Sequence, residues 1–155
     1  MNEFVLALGW AGVYAPMALG AIGSIIGCAI AGQSAIGAML ETESGYGRYV
    51  GISAMPSSQV IYGIVVMFTL NKGVSAAVAP GMFGIGVPAG LALLASAVYQ
   101  GKCCASAIHA TKAKPEIFGL ALAPAAIVEG FAVFAFIFAL VLSADLPETA
   151  VAPGG

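Results

Sequence analysis

The sequence predicts an all-α integral membrane protein in which four transmembrane helices form a duplicated two-helix hairpin. Three observations carry that expectation. Hydrophobic residues make up 61% of the 155 positions and charged residues 8%, against about 25% charged in a soluble domain, and the mean hydropathy is +1.03. Four apolar stretches, 4–40, 49–71, 73–101 and 117–144, each exceed the ~20 residues needed to cross ~30 Å of hydrocarbon. Short patterns also recur at a fixed spacing, so that one half of the chain reads as a copy of the other.

The first stretch follows Met-Asn-Glu, without the Lys or Arg of a cleavable signal, and is expected to stay in the mature protein. Gly20, Gly23, Gly27 and Ala31 run down it, with Gly23 and Gly27 in the spacing that lets helix backbones approach in lipid. A turn from Glu41 to Arg48 leads to the second stretch, which is bulky at Val65, Val66, Met67 and Phe68. Asn71, Lys72 and Gly73 mark the next turn. The third stretch repeats the small-residue spacing at Gly86 and Gly90, and Lys102 at its end snorkels to the headgroups or faces a ring lumen. After Lys112, Lys114, Pro115 and Glu116, the fourth stretch carries Phe131, Phe134, Phe136 and Phe138. Thin first and third helices with bulky second and fourth ones suit a ring that keeps its bulk outside. The expected units are hairpins over 1–72 and 73–144, then a short flexible tail over 145–155 with two prolines and two glycines.

The repeat is explicit. Ser34-Ala35-Ile36 matches Ser106-Ala107-Ile108 at an offset of 72, and Ser24 falls on Ser96 at the same offset. In the second arm the offset is 70, and Gln59 falls on Glu129. Two hairpins of like orientation make a parallel repeat, unlike the inverted repeats of alternating-access transporters. Arg48, Lys102, Lys112 and Lys114 lie on one side and Lys72 alone on the other, which predicts cytoplasmic hairpin loops and both termini outside.

Several functions are excluded. A net charge of −2 with five cationic side chains leaves no surface for nucleic acid. Cys28, Cys103 and Cys104, an odd count in apolar segments, are packing residues. His109 stands without partner ligands, and the absence of a GxxxxGK[ST] loop means that the chain binds no nucleotide by that route. On its own it is no enzyme.

One ionisable carboxylate lies deep in an apolar run. Glu129 has twelve residues of the run before it and fifteen after, and a charge at that depth costs at least ~2.5–3.5 kcal/mol, so such a group binds something or moves a proton. The matching helix of the first half offers Ser58, Gln59 and Tyr62 within one turn, able to converge on one partner. Pro56, lacking an N–H, is expected to leave the Ile52 carbonyl without its helical donor, and Pro124 disturbs the bond to Leu120. Gln100 adds a neutral oxygen on the third helix, or else a hydrogen bond between helices. One carboxylate among neutral oxygens suits a hard monovalent cation, Na⁺ more than H⁺, with Tyr62 holding the carboxylate. A proton carrier, a small four-helix cation exporter and a purely structural role are the alternatives. The last leaves Glu129 unexplained.

Met55-Pro56-Ser57-Ser58-Gln59-Val60-Ile61-Tyr62-Gly63 and Tyr99-Gln100-Gly101-Lys102 resemble motifs of the Na⁺-translocating bacterial members of the V-type ATPase proteolipid family, which builds the membrane rotor ring. The likeness spans nearly the whole chain, with the family's glutamate at Glu129 and its replacement at Gln59. Ser58 stands where the closest Na⁺ type has Thr and keeps the hydroxyl. The resemblance implies Na⁺ ligands at Ser58, Gln59, Gln100, Glu129 and the Met55 carbonyl, with Tyr62 bonded to Glu129. It also implies a ring of about ten copies in a bacterial cell membrane, turning against a stator subunit and joined through central-stalk subunits to a soluble head that turns over ATP.

Overall fold

The computed structural model describes residues 2–147. Four helices are long and apolar enough to cross a membrane: α1 (Asn2–Leu40), α2 (Tyr46–Leu70), α3 (Ala79–Ala113) and α4 (Pro115–Ala144). Beyond Pro147 the expected flexible tail lies outside the described residues.

α1 packs most extensively on α3, and also on α2, while α3 lies against α4. The α1–α3 seam is close because it is built from residues with little or no side chain. A Cβ at Gly86 would land on the Gly12 carbonyl, and one at Gly101 would strike Gly27. Lipid tails are as apolar as leucine, so van der Waals contact between backbones is what holds such a pair together. Pro16 in α1 and Pro88 in α3 stand at the repeat's offset of 72, a further trace of the duplication. Of the bulk expected outside, Val65, Phe68, Phe131, Phe134 and Phe138 are exposed on the single chain. Val66 is instead fully buried, and Met67 and Phe136 pack half-buried against the core, because a helix of the bundle must turn one side of its bulk inward. Lys72 donates from Nζ to the Ser143 carbonyl at 3.2 Å and ties the end of α2 to that of α4.

Pro56 shapes α2. Met55–Ser57 is a 3₁₀ turn inside the helix. The Ile52 carbonyl, expected to lack a donor, is instead taken by the Met55 N–H, because tightening to 3₁₀ lets a residue one position earlier replace the missing proline N–H. The Ser58 N–H reaches the Met55 carbonyl in the same way.

α3 departs furthest from the apolar-run reading, which placed it at 73–101. Gly73 adopts φ 91, and the Ser75 carbonyl accepts from the N–H groups of Val78 and Ala79 at 3.2 and 2.9 Å, so residues 71–78 form a connection before the helix starts. Pro80 then sits in the first turn, where a missing N–H costs nothing. At the other end Lys102 does not stop the helix, since lysine is a good helix former. Its Nζ lies 4.6 Å from the Tyr99 ring centroid and its side chain is exposed, and α3 runs on to Ala113.

Two apolar clusters occupy the ends of the bundle. Ala31, Ala35, Tyr49, Ile52, Ile108 and Ala125 belong to one, near the hairpin loops, and Val13, Val66, Leu70, Met82 and Ala139 to the other. Between them lies a polar waist.

Candidate functional site

The waist gathers side chains from three helices around Glu129, which stands near the midpoint of α4. On α2 the turn Ser58 to Tyr62 points two hydroxyls the same way, as residues four apart on a helix do. The Ser58 Oγ donates to Glu129 Oε1 at 2.7 Å and the Tyr62 hydroxyl to the same oxygen at 3.1 Å. From α3, Gln100 Nε2 donates to Glu129 Oε2 at 3.0 Å. All three donors belong to the same chain as the carboxylate. Gln59, wholly buried, makes no direct hydrogen bond to Glu129; its Nε2 donates to Gln100 Oε1 at 2.8 Å, and so is linked to the carboxylate through Gln100.

The five expected site residues and the Met55 carbonyl therefore lie in one cluster. Gln100 holds a particular orientation within it: its oxygen accepts from Gln59 and its nitrogen faces the carboxylate.

Around the Ser58 hydroxyl, acceptor oxygens outnumber the protons it can give. Ser58 Oγ lies 2.7 Å from Glu129 Oε1, 3.3 Å from Gln59 Oε1 and 3.3 Å from the Met55 carbonyl oxygen. A serine hydroxyl has one proton to give, and the shortest, charge-assisted contact claims it. The other two oxygens then face Ser58 lone pair to lone pair. Such a concentration of acceptors, with one carboxylate among them, can hold a small cation and neutralise it.

Two residues of the site were not legible as such. Ser96, known from the sequence only as a repeat marker, accepts from Gln59 Nε2 at 3.3 Å and donates to the Val128 carbonyl at 3.0 Å. Its position one turn before Gln100 was the available signal. Phe136, one aromatic among several, stacks on Tyr62 with ring centroids 5.3 Å apart and steadies the phenol on its way to Glu129. Of the remaining candidates, His109 is exposed near the loop end, and Cys104 packs its sulfur 3.9 Å from that of Met55.

Comparison with known proteins agrees with the duplicated architecture. The family model for the ATP synthase C subunit matches the chain twice, over residues 11–70 and 83–142, the two matches standing as far apart as the repeated serines. A-type ATP synthase subunit K of Methanocaldococcus jannaschii is 35% identical over 138 residues, covering 86% of this chain. The chain spans 62% of that protein's length. V-type sodium ATPase subunit K of Enterococcus hirae is 31% identical over 129 residues, covering 79% of this chain and 83% of that protein.

Proposed function

Because the chain belongs to the family of the ATP synthase C subunit, we propose that it is the ion-carrying, non-catalytic rotor subunit of a V- or A-type ATPase and that its ion is Na⁺. Copies assemble into a ring of about ten that turns against a stator subunit, with central-stalk subunits linking it to the head where ATP turns over. The two hairpins, 1–72 and 73–144, lie in a bacterial cell membrane with their loops cytoplasmic and the termini outside. Glu129 binds the ion together with Ser58, Gln59 and the Met55 carbonyl, and Tyr62 orients the carboxylate. Gln100 completes the ligand set through Oε1, whose other lone pair keeps the bond from Gln59 Nε2, while its own Nε2 holds Glu129 Oε2.

The observation that supports this reading is the crowd of oxygens around Ser58, three acceptors within 3.3 Å of a hydroxyl with one proton to give. A cation relieves that crowding and cancels the charge of Glu129. The neutral pair then crosses the lipid-facing arc of the ring, which a bare carboxylate cannot do cheaply. Among the described residues no three His, Cys, Asp or Glu side chains gather, so the donor set favours a hard monovalent ion over a transition metal. The name of the Enterococcus hirae relative points to the same ion.

A proton-carrying ring is the second reading. It draws on the three donors that converge on Glu129, since these suffice to hold a carboxylate between successive proton loads. Carbodiimide labelling of Glu129 in the purified protein separates the two, because the reagent attacks the protonated carboxyl. Na⁺ is expected to slow labelling at fixed pH while K⁺ does not; labelling that responds to pH alone would assign the ring to protons.

A further inference from the structure

We propose that Ser96 is a positioning residue that fixes which way the Gln59 amide faces and thereby aims its oxygen into the ion site. The inference rests on the ion-carrying reading above and adds to it a residue outside the expected ligand set.

Ser96 is 7% exposed and lies on α3, between the ligand-bearing segments of α2 and α4. Its Oγ donates to the carbonyl of Val128, the residue before Glu129, at 3.0 Å. With its single proton committed there, Ser96 presents only lone pairs to Gln59, and the amide answers with nitrogen, Nε2 donating at 3.3 Å. The other N–H of that nitrogen goes to Gln100 Oε1 at 2.8 Å. Both neighbours are acceptors. Flipped by half a turn, the wholly buried Gln59 would set its oxygen against two acceptors and exchange two donated bonds for at most the one that Ser58 Oγ could accept, a net loss inside the bundle.

The consequence falls at the far end of the amide. Gln59 Oε1 is left 3.3 Å from Ser58 Oγ, among the oxygens that would hold the ion. A backbone carbonyl on α4 thus dictates, through one hydroxyl on α3, the direction of an oxygen on α2.

Ser24, its counterpart in the repeat, supplies the contrast. It accepts from the backbone N–H of Val60 at 3.3 Å, a group with no alternative orientation to choose. That bond ties α1 to α2 and aims no ligand.

The test is the Na⁺ concentration that half-protects Glu129 from carbodiimide, measured on the purified assembled protein at one fixed pH. Ser96→Ala should raise it about tenfold, the effect of leaving one buried donor unpaired. Ser96→Thr, which keeps the hydroxyl, should restore it, and Ser24→Ala should leave it within about twofold of the parent. If Ser96→Ala does not assemble, Ser96→Cys replaces it: similar in volume, a weak acceptor, and expected to show the same rise. A parent protein that Na⁺ fails to protect overturns the ion reading beneath the inference. A protected parent whose Ser96→Ala or Ser96→Cys variant matches it overturns the role of Ser96, as does a Ser24→Ala shift of equal size or a Ser96→Thr variant as impaired as Ser96→Ala.

Discussion

The two halves of the chain carry a serine at matching positions, Ser24 and Ser96, but different groups one arm further on, Gln59 in the first and Glu129 in the second. In the fold these unlike groups are brought together, with Gln100 bridging Gln59 to the carboxylate. The ends of the first and third helices show the same relation. Glu41 follows the first and Lys112 lies in the last turn of the third, at nearly equivalent positions, and their side chains meet at 2.7 Å. Where the copies have diverged, they have become complementary. A duplicated chain needs only one charged ligand if the other copy turns its own into a supporting amide, and the membrane favours that economy because each carboxylate at mid-depth is expensive.

The most severe way to break this comparison is to make the halves alike. Glu129→Gln should abolish coupled ion transport in vesicles carrying the full complex, while the oligomer still migrates intact on a native gel. Transport retained by that variant would remove Glu129 from the centre of the mechanism. Next in size is a challenge to the seam where the halves touch. Gly101→Leu drives a side chain into Gly27, and overpacking against backbone should cost roughly 3 kcal/mol or more, seen as loss of the assembled protein in a detergent stability assay.

The smallest effect concerns the loop-side ion pair. Lys112 holds the Glu41 carboxyl below its ordinary range, chiefly through their hydrogen bond. A carboxyl depressed in the folded state stabilises above its ordinary range and loses that contribution as pH falls through the depressed value. Lys112→Ala should therefore lower Tm at neutral pH by no more than about 2 °C, and a pH series should show the difference closing in acid. A difference that persisted at low pH would mean that Lys112 acts by packing instead.

How far the sequence could be read follows from what each signal is made of. The four helices were legible because hydrocarbon demands long apolar runs, and the run of α3 misled only where a lysine and a glycine turn reset its ends. Glu129, Gln59, Ser58, Tyr62 and Gln100 stood out because polar groups are conspicuous in such runs. Ser96 did not, since a serine among alanines and glycines looks like a small packing residue until its two partners are seen. The direction of the Gln100 amide was equally hidden, because glutamine offers donor and acceptor alike and its neighbours choose between them.

The 70-residue step from Gln59 to Glu129 also has a mechanical meaning. With one carboxylate for two hairpins, a ring of such chains carries its charges at twice the angular spacing of a ring in which every hairpin keeps its own. Fewer ions then cross per revolution. On the proposed rotor reading, at a fixed yield of ATP per turn each ion would be coupled to a larger share of the chemical work, a low gear suited to a steep ion gradient.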